Sequence, residues 1–238
     1  MPGREGAATV TQRDGRPGRW WAPRQTPGRY GLLLFLLVAT YLLSAFTSST
    51  WIGGVQLGVF VATGFLALRS SALPLRRARL IGLVGLAGSA AALGLSLTRP
   101  SDPAIAAASI WTGALLLATV VVIVRRILGF STVTIQSIFA AVSAYLMIGL
   151  MFAAFYAADY QLHNRQFFAA HQIGNSQTFQ YFSFTTLTTL GYGDFTAADS
   201  GGRAIAVLEA LTGQIFLATL VARLVAAFRS SESREEDG

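Results

Sequence analysis

The segment 185–194, with the sequence TTLTTLGYGD, has the spacing of residue types most suggestive of chemistry in this chain. Its side chains offer no strong acid, base or metal ligand before Asp194, so the chemistry must lie in the backbone. Carbonyl oxygens can replace the hydration shell of a monovalent cation if consecutive ones point the same way. That alignment needs left-handed backbone angles, which glycine adopts at little cost. Gly191 and Gly193 meet this need, and Thr189 would add a hydroxyl oxygen at the inner end.

The overall composition indicates a membrane protein. Of the 238 residues, 53% are hydrophobic and 12% are charged, against roughly 25% charged residues in a soluble domain. The chain has no cysteine, which excludes disulfides and thiolate metal sites. The net charge is +7, and the chain has arginine but no lysine. No basic face is interleaved with stacking aromatic residues, so we expect no nucleic-acid partner.

Six apolar runs are candidates for membrane helices, each of which needs about 20 mostly apolar residues. They lie at 30–68, which the polar break 47–54 divides into two, and at 80–97, 104–124, 138–158 and 204–228. The arginines are distributed unevenly around these runs. If both termini are cytoplasmic, 15 of the 18 arginines lie on the inner side. The positive-inside rule therefore favours six spans with both ends in the cytoplasm.

The glycine-containing segment lies on the outer side, between the fifth and sixth runs. Residues 177–188 before it contain no glycine or proline, which predicts a short helix capped by Asn175 or Ser176. Such a helix is too short to cross the bilayer and would be re-entrant. Irregular backbone at membrane depth is tolerated only where protein encloses it or where it lines a watery cavity. The helix would also direct its partly negative C-terminus at the ion path.

The combination of a threonine-rich short helix, Gly-Tyr-Gly and Asp194 resembles the signature of the potassium-channel superfamily, whose filter commonly reads Thr-Val-Gly-Tyr-Gly-Asp. The resemblance covers residues 127–228. It implies a homotetramer, in which four chains each place one loop around a central axis. The residues that match the family's ion-binding filter are Thr189, Leu190, Gly191, Tyr192 and Gly193. Leu190 replaces the usual valine, a change that should matter little because only its carbonyl faces the ion.

The same resemblance suggests residues that support the filter. Thr185 and Thr188 belong to the supporting helix. Tyr181 and Phe182 occupy the places where the family often has bracing tryptophans. We therefore expect the Tyr181 hydroxyl to form a hydrogen bond with Asp194 behind the filter.

The sixth run carries a glycine and an acid that each allow two interpretations. Gly213 is either a gating hinge, as in similar channels, or a site of close helix packing. Glu209 is the one acid within a predicted span, where burial of a carboxylate is costly. It either lies behind the filter, bonded to threonine hydroxyls or backbone, or faces the cavity and attracts cations. We favour the first position. Near the inner end, Arg223 is expected to extend towards lipid headgroups.

The sequence thus predicts an all-α membrane protein with a re-entrant pore helix and filter loop between helices 5 and 6. The expected parts are a basic disordered tail (1–29), a four-helix unit (30–126), a pore domain (127–229, with pore helix 177–188, filter 189–193 and inner helix 203–228) and a short cytoplasmic tail (230–238). The fourth span has no arginine before Arg125 and Arg126, so no strong voltage dependence is expected.

The expected activity is passive, potassium-selective conduction across the plasma membrane. The alternatives are a non-selective monovalent cation channel and a non-conducting or regulatory membrane subunit. We expect no enzymatic activity, no cofactor and no metal besides K⁺ in the filter. The partners would be three further copies of the chain and membrane lipids, with no small-molecule substrate. His163 and His171 have no nearby carboxylate cluster or nucleophile and predict neither a metal site nor a catalytic site.

Overall fold

The computed structural model describes residues 29–46, 50–69, 75–98, 102–128, 134–163 and 166–236, and within them the chain is all-helical. The seven helices are α1 (Arg29–Phe46), α2 (Thr50–Arg69), α3 (Leu75–Thr98), α4 (Asp102–Leu128), α5 (Ile135–His163), α6 (Ser176–Leu187) and α7 (Ser200–Glu236). No strand occurs in these ranges, where Phe168 and Ala197 form an isolated antiparallel bridge.

Three of these helices are long and apolar enough to cross a membrane. They are Asp102–Leu128, Ile135–His163 and the Ser200–Ala226 part of α7. Helices α1, α2 and α3 contain shorter apolar stretches among the described residues. The basic tail expected at 1–29 lies, except for Arg29, outside the described residues, as do Arg99 and Arg165. The described residues therefore include only some of the arginines on which the predicted orientation depends.

Helix α5 is the central element of the fold. Its most apolar stretch is 61% buried, because α4, α1, α6 and α7 all pack against it. Small side chains such as Ala144 and Gly149 allow this close packing, and a Cβ on Gly149 would lie 2.7 Å from the ring of Phe184. The four-helix unit formed by α1 to α4 thus packs on the α5 helix of its own chain.

A second contact joins the four-helix unit to α6 through α1. Gln177 Nε2 donates hydrogen bonds to the carbonyl oxygens of Ser44 (3.0 Å) and Ala45 (3.3 Å), near the end of α1. Tyr41 of α1 also packs edge-to-face on Phe184 of α6, with ring centroids 4.9 Å apart. Both contacts fix α6 against α1, a helix far away in sequence.

The segment between α5 and α6 contributes aromatic rings that pack against α6. Phe168 stacks on Phe179 with ring centroids 5.5 Å apart, and Phe167 meets Phe182 edge-to-face at 5.9 Å. Tyr156 of α5 packs against Phe182 at 5.0 Å. Burial of these rings, each a large apolar surface with directional ring contacts, holds α6 at a fixed position over α5.

Two helix boundaries differ from the sequence prediction. Helix α6 begins and ends one residue earlier than 177–188, with Asn175 as its N-cap. Helix α7 begins at Ser200 and continues to Glu236, so it extends beyond 203–228 at both ends. Most of the segment expected as a separate polar tail therefore continues the helix.

Candidate functional site

The candidate site is built on α6 and the loop that follows it. Asn175 starts the helix with a capping box, in which its side chain accepts from the backbone N–H of Thr178 and the Thr178 hydroxyl accepts from the backbone N–H of Asn175. Such reciprocal bonds satisfy two N–H groups that a helix start leaves unpaired. The helix ends at Leu187, with Thr188 as its C-cap. Its C-terminus then leads directly into residues 189–193, here called the filter loop.

The filter loop has left-handed backbone angles at every second residue. Thr189 has φ 58°, Gly191 φ 52° and Gly193 φ 79°, whereas Leu190 and Tyr192 do not have positive φ. Alternation between opposite-handed backbone angles turns successive peptide groups to the same side. The sequence predicted this at the two glycines and missed Thr189, because left-handed angles are rare for a β-branched residue.

Glycine is needed in the loop for its backbone angles rather than for lack of space. A Cβ built on Gly191 or Gly193 would meet no atom of this chain within 4 Å. The loop is also exposed, with 54% of Leu190 and 69% of Tyr192 accessible. Any L-residue substituted at these positions would thus be strained by φ alone.

Hydrogen bonds tie the filter loop to the end of α6. The N–H of Gly191 donates to the Thr185 carbonyl at 3.1 Å, and that of Thr189 donates to Thr186 at 3.0 Å. The hydroxyls of Thr185 and Thr188 donate to the carbonyls of Phe182 (3.0 Å) and Phe184 (2.7 Å) in the preceding turn. Thr185 therefore lies in the helix that precedes the filter loop, and Thr188 caps the end of that helix. The Thr189 hydroxyl donates to the Thr188 carbonyl at 2.7 Å.

Asp194, directly after the filter loop, is held by two side chains. The Tyr181 hydroxyl donates to Asp194 Oδ2 at 2.8 Å, so the predicted hydrogen bond is present. This bond raises the pKa of Tyr181 above its ordinary value, which keeps the phenol protonated as a donor. Gln172 also donates its side-chain N–H to the Asp194 carbonyl. Sequence reasoning missed Gln172, since a contact over 22 positions leaves no local pattern.

Glu209 of α7 is fully buried within the chain. Its carboxyl contacts the Ser183 hydroxyl of α6 and the Tyr156 hydroxyl of α5, the latter at 2.6 Å. The side chain therefore lies inside the subunit, against α6. The prediction that Glu209 bonds to threonine hydroxyls or backbone groups is therefore wrong. Ser183 and Tyr156 lie in other helices, and the sequence alone does not show that these residues meet Glu209.

Gly213 lies where α7 crosses the end of α6. A Cβ at this position would be 2.5 Å from the Leu187 carbonyl oxygen. The same carbonyl accepts a hydrogen bond from Tyr145 of α5 at 3.1 Å. Helix α7 continues through Gly213 without a break. Of the two interpretations of Gly213, this contact favours close packing.

Arg223 does not fit its sequence-based interpretation. Its guanidinium donates to the carbonyl oxygens of Ile127 and Leu128, the latter at 3.1 Å. These are the last two residues of α4, where helix carbonyls lack intrahelical partners and the dipole favours a cation. The expectation that Arg223 extends to lipid headgroups rather than binding protein is therefore wrong, and Arg223 instead links α7 to the end of α4.

The two histidines lie outside this arrangement. His163, at the end of α5, pairs with Asp159 at 2.9 Å, and His171 contacts the Gln166 side chain. Within the described ranges, no group of three or more histidine and acidic side chains is arranged to hold a metal ion.

Residues 169–230 match the model of a protein family described as ion channel. The match begins after α5 and covers α6, the filter loop and most of α7. No curated protein matches the chain. The matched family and the three apolar helices make this a membrane protein, and they favour a transport protein over an enzyme. The match places residues 169–230 of the chain in the potassium-channel-like pore superfamily.

Proposed function

We propose that the protein is a homotetrameric channel that conducts K⁺ passively and selectively through the backbone carbonyls of residues 189–193. The observation that carries the proposal is the left-handed φ at Thr189, Gly191 and Gly193, with two residues of ordinary φ between them. Aligned carbonyl oxygens can replace the hydration shell of a dehydrated K⁺, and no side-chain charge is required.

The exposure of the filter loop supports assembly from several copies. Exposed irregular backbone cannot face lipid, because lipid offers no hydrogen-bond partners. The apolar stretch of α7 next to it is only 11% buried within the chain. Leu208 (60% exposed), Leu211 (54%) and Ile215 (66%) form part of this exposed face. Four copies around one axis would enclose the loops and cover these faces, as closed symmetry requires.

The remaining layout follows from the same proposal. We place the channel in the plasma membrane with six spans and both termini in the cytoplasm, an orientation that the arginine distribution favours. Helix α4 carries its arginines, Arg125 and Arg126, in the last turn. Charges at the end of a span move through little of the membrane potential, so opening should depend weakly on voltage.

Ion flux from proteoliposomes tests the proposal. The purified protein should carry K⁺ much faster than Na⁺, and Gly191→Ala should lower K⁺ flux by at least about tenfold, because alanine is strained at a positive φ. Gly94→Ala is the matched control. Gly94 is a glycine of α3 whose added Cβ would meet nothing within 4 Å, so this variant should conduct like the wild type.

The alternatives predict different results in the same assay. Equal K⁺ and Na⁺ flux would indicate a non-selective cation channel. Absence of flux, with the protein folded and tetrameric, would indicate a non-conducting subunit. Either result would overturn the proposal.

A further inference from the structure

A buried polar cluster joins α5, α6 and α7. Glu209 Oε2 accepts from the Tyr156 hydroxyl at 2.6 Å, and Glu209 Oε1 contacts the Ser183 hydroxyl. The same Ser183 oxygen lies 2.6 Å from the Gly149 carbonyl. Tyr156, Ser183 and Glu209 all have 0% exposure, so water cannot supply hydrogen bonds to them.

The number of protons in this cluster can be counted from the contacts. Three oxygen–oxygen contacts need three protons, and the two hydroxyls of Tyr156 and Ser183 supply one each. The Gly149 carbonyl can only accept, so the Ser183 proton lies on that contact. An ionised Glu209 would then meet Ser183 with two oxygens and no proton between them. A carboxyl proton on Oε1 completes the set, since it is donated to the Ser183 oxygen.

We propose that Glu209 is a neutral carboxylic acid in the resting protein and that its proton positions the pore helix α6 against α5 and α7. Glu209 is a positioning residue and touches no permeant ion. With its proton, it bonds Ser183 while Ser183 remains bonded to Gly149, so the three helices are joined in one chain of hydrogen bonds. This role rests on the proposed function, in which α6 supports the filter loop.

Loss of this proton should loosen the support. The cluster would have two protons for three contacts, so Ser183 would have to release either Gly149 or Glu209. An unpaired charge would also be buried among apolar groups, which is costly. The titratable groups that face Glu209 are Tyr156 and Tyr145, both of α5. Ser183 of α6 does not titrate. Alkaline pH should therefore weaken the hold of α6 in the wild-type protein.

Infrared spectroscopy of the purified full-length protein tests the proton directly. The wild type at neutral pH should show a protonated-carboxyl C=O band that Glu209→Gln removes and Asp199→Asn leaves. An unchanged spectrum in Glu209→Gln would overturn the proposal. The measurement needs no ion flux, so a carboxyl band in a protein that does not conduct would support the proton and overturn the channel.

The pH profile of K⁺ flux tests the positioning role. Glu209→Ala should lower the flux severalfold at neutral pH. Glu209→Gln should restore it, because the amide N–H can donate to Ser183 and the amide oxygen can accept from Tyr156. As pH rises, wild-type flux should fall while that of Glu209→Gln falls less, since the amide cannot lose a proton in this range. Identical alkaline profiles for the two proteins would contradict the positioning role.

Discussion

Thr189 and the two glycines after it form the smallest unit with a functional geometry. Thr189 and Gly191, two of the three, also donate backbone hydrogen bonds back to Thr186 and Thr185. The sequence indicated Gly191 and Gly193 because glycine is the residue that suits such angles. It did not indicate the positive φ of Thr189, because nothing in a threonine side chain favours such an angle. The Tyr181–Asp194 bond was predictable only through the resemblance to a known filter.

Tyr181→Phe tests the contribution of that bond. The variant removes the donor to Asp194 Oδ2 and keeps the ring that packs on Phe195. We expect flux to begin normally and then to decay faster than in the wild type, because the outer end of the filter loop loses one of its anchors. Hydrogen bonds to carboxylates are stronger than those between neutral groups, so loss of this donor should change the decay rate severalfold.

Tyr160→Phe serves as the control for this experiment. Tyr160 packs on Phe179 from α5, so the variant removes a phenol hydroxyl without touching Asp194. The proposed role of Tyr181 would be refuted by equal decay rates in Tyr181→Phe and the wild type.

At the scale of elements, α6 is held by hydrogen bonds to three other helices. Gln177 binds the end of α1, Ser183 binds α5 and α7, and Tyr145 of α5 binds the Leu187 carbonyl. The bounds of α6 could be predicted within one residue from its cap and its lack of glycine and proline. Its partners could not, because these contacts join positions far apart in sequence and depend on how the helices pack.

Gly213→Ala tests the packing of α7 on α6. The added methyl group would be 2.5 Å from the Leu187 carbonyl oxygen, a backbone atom that cannot rotate away. Overpacking of this kind costs about 1–3 kcal/mol, so thermal unfolding in detergent should shift to lower temperature and K⁺ flux should fall.

The control for Gly213→Ala is Gly58→Ala in α2, whose added Cβ would meet nothing within 4 Å. Alanine favours a helix over glycine by roughly 1 kcal/mol, so this variant should be at least as stable as the wild type. If Gly213→Ala also unfolds no earlier than the wild type, the close contact at Gly213 is not a packing constraint.

At the scale of the whole molecule, the four-helix unit packs on the pore helices of its own chain. Helix α4 ends at Leu128 and α5 begins at Ile135, and Arg223 of α7 binds the end of α4. The apolar runs predicted the helices and their order. The packing could not be predicted, since an apolar run is equally suited to contact lipid or another helix. The arginines of α4 lie only in its last turn, so we expect no strong voltage dependence from this unit.

The reversal potential of the purified protein in a planar bilayer tests the central claim most directly. With K⁺ on one side and Na⁺ on the other, the account predicts a current that reverses close to the potassium equilibrium potential. Open probability should change little across the applied voltages. Reversal near zero under the same gradient would contradict potassium selectivity through the carbonyls of residues 189–193.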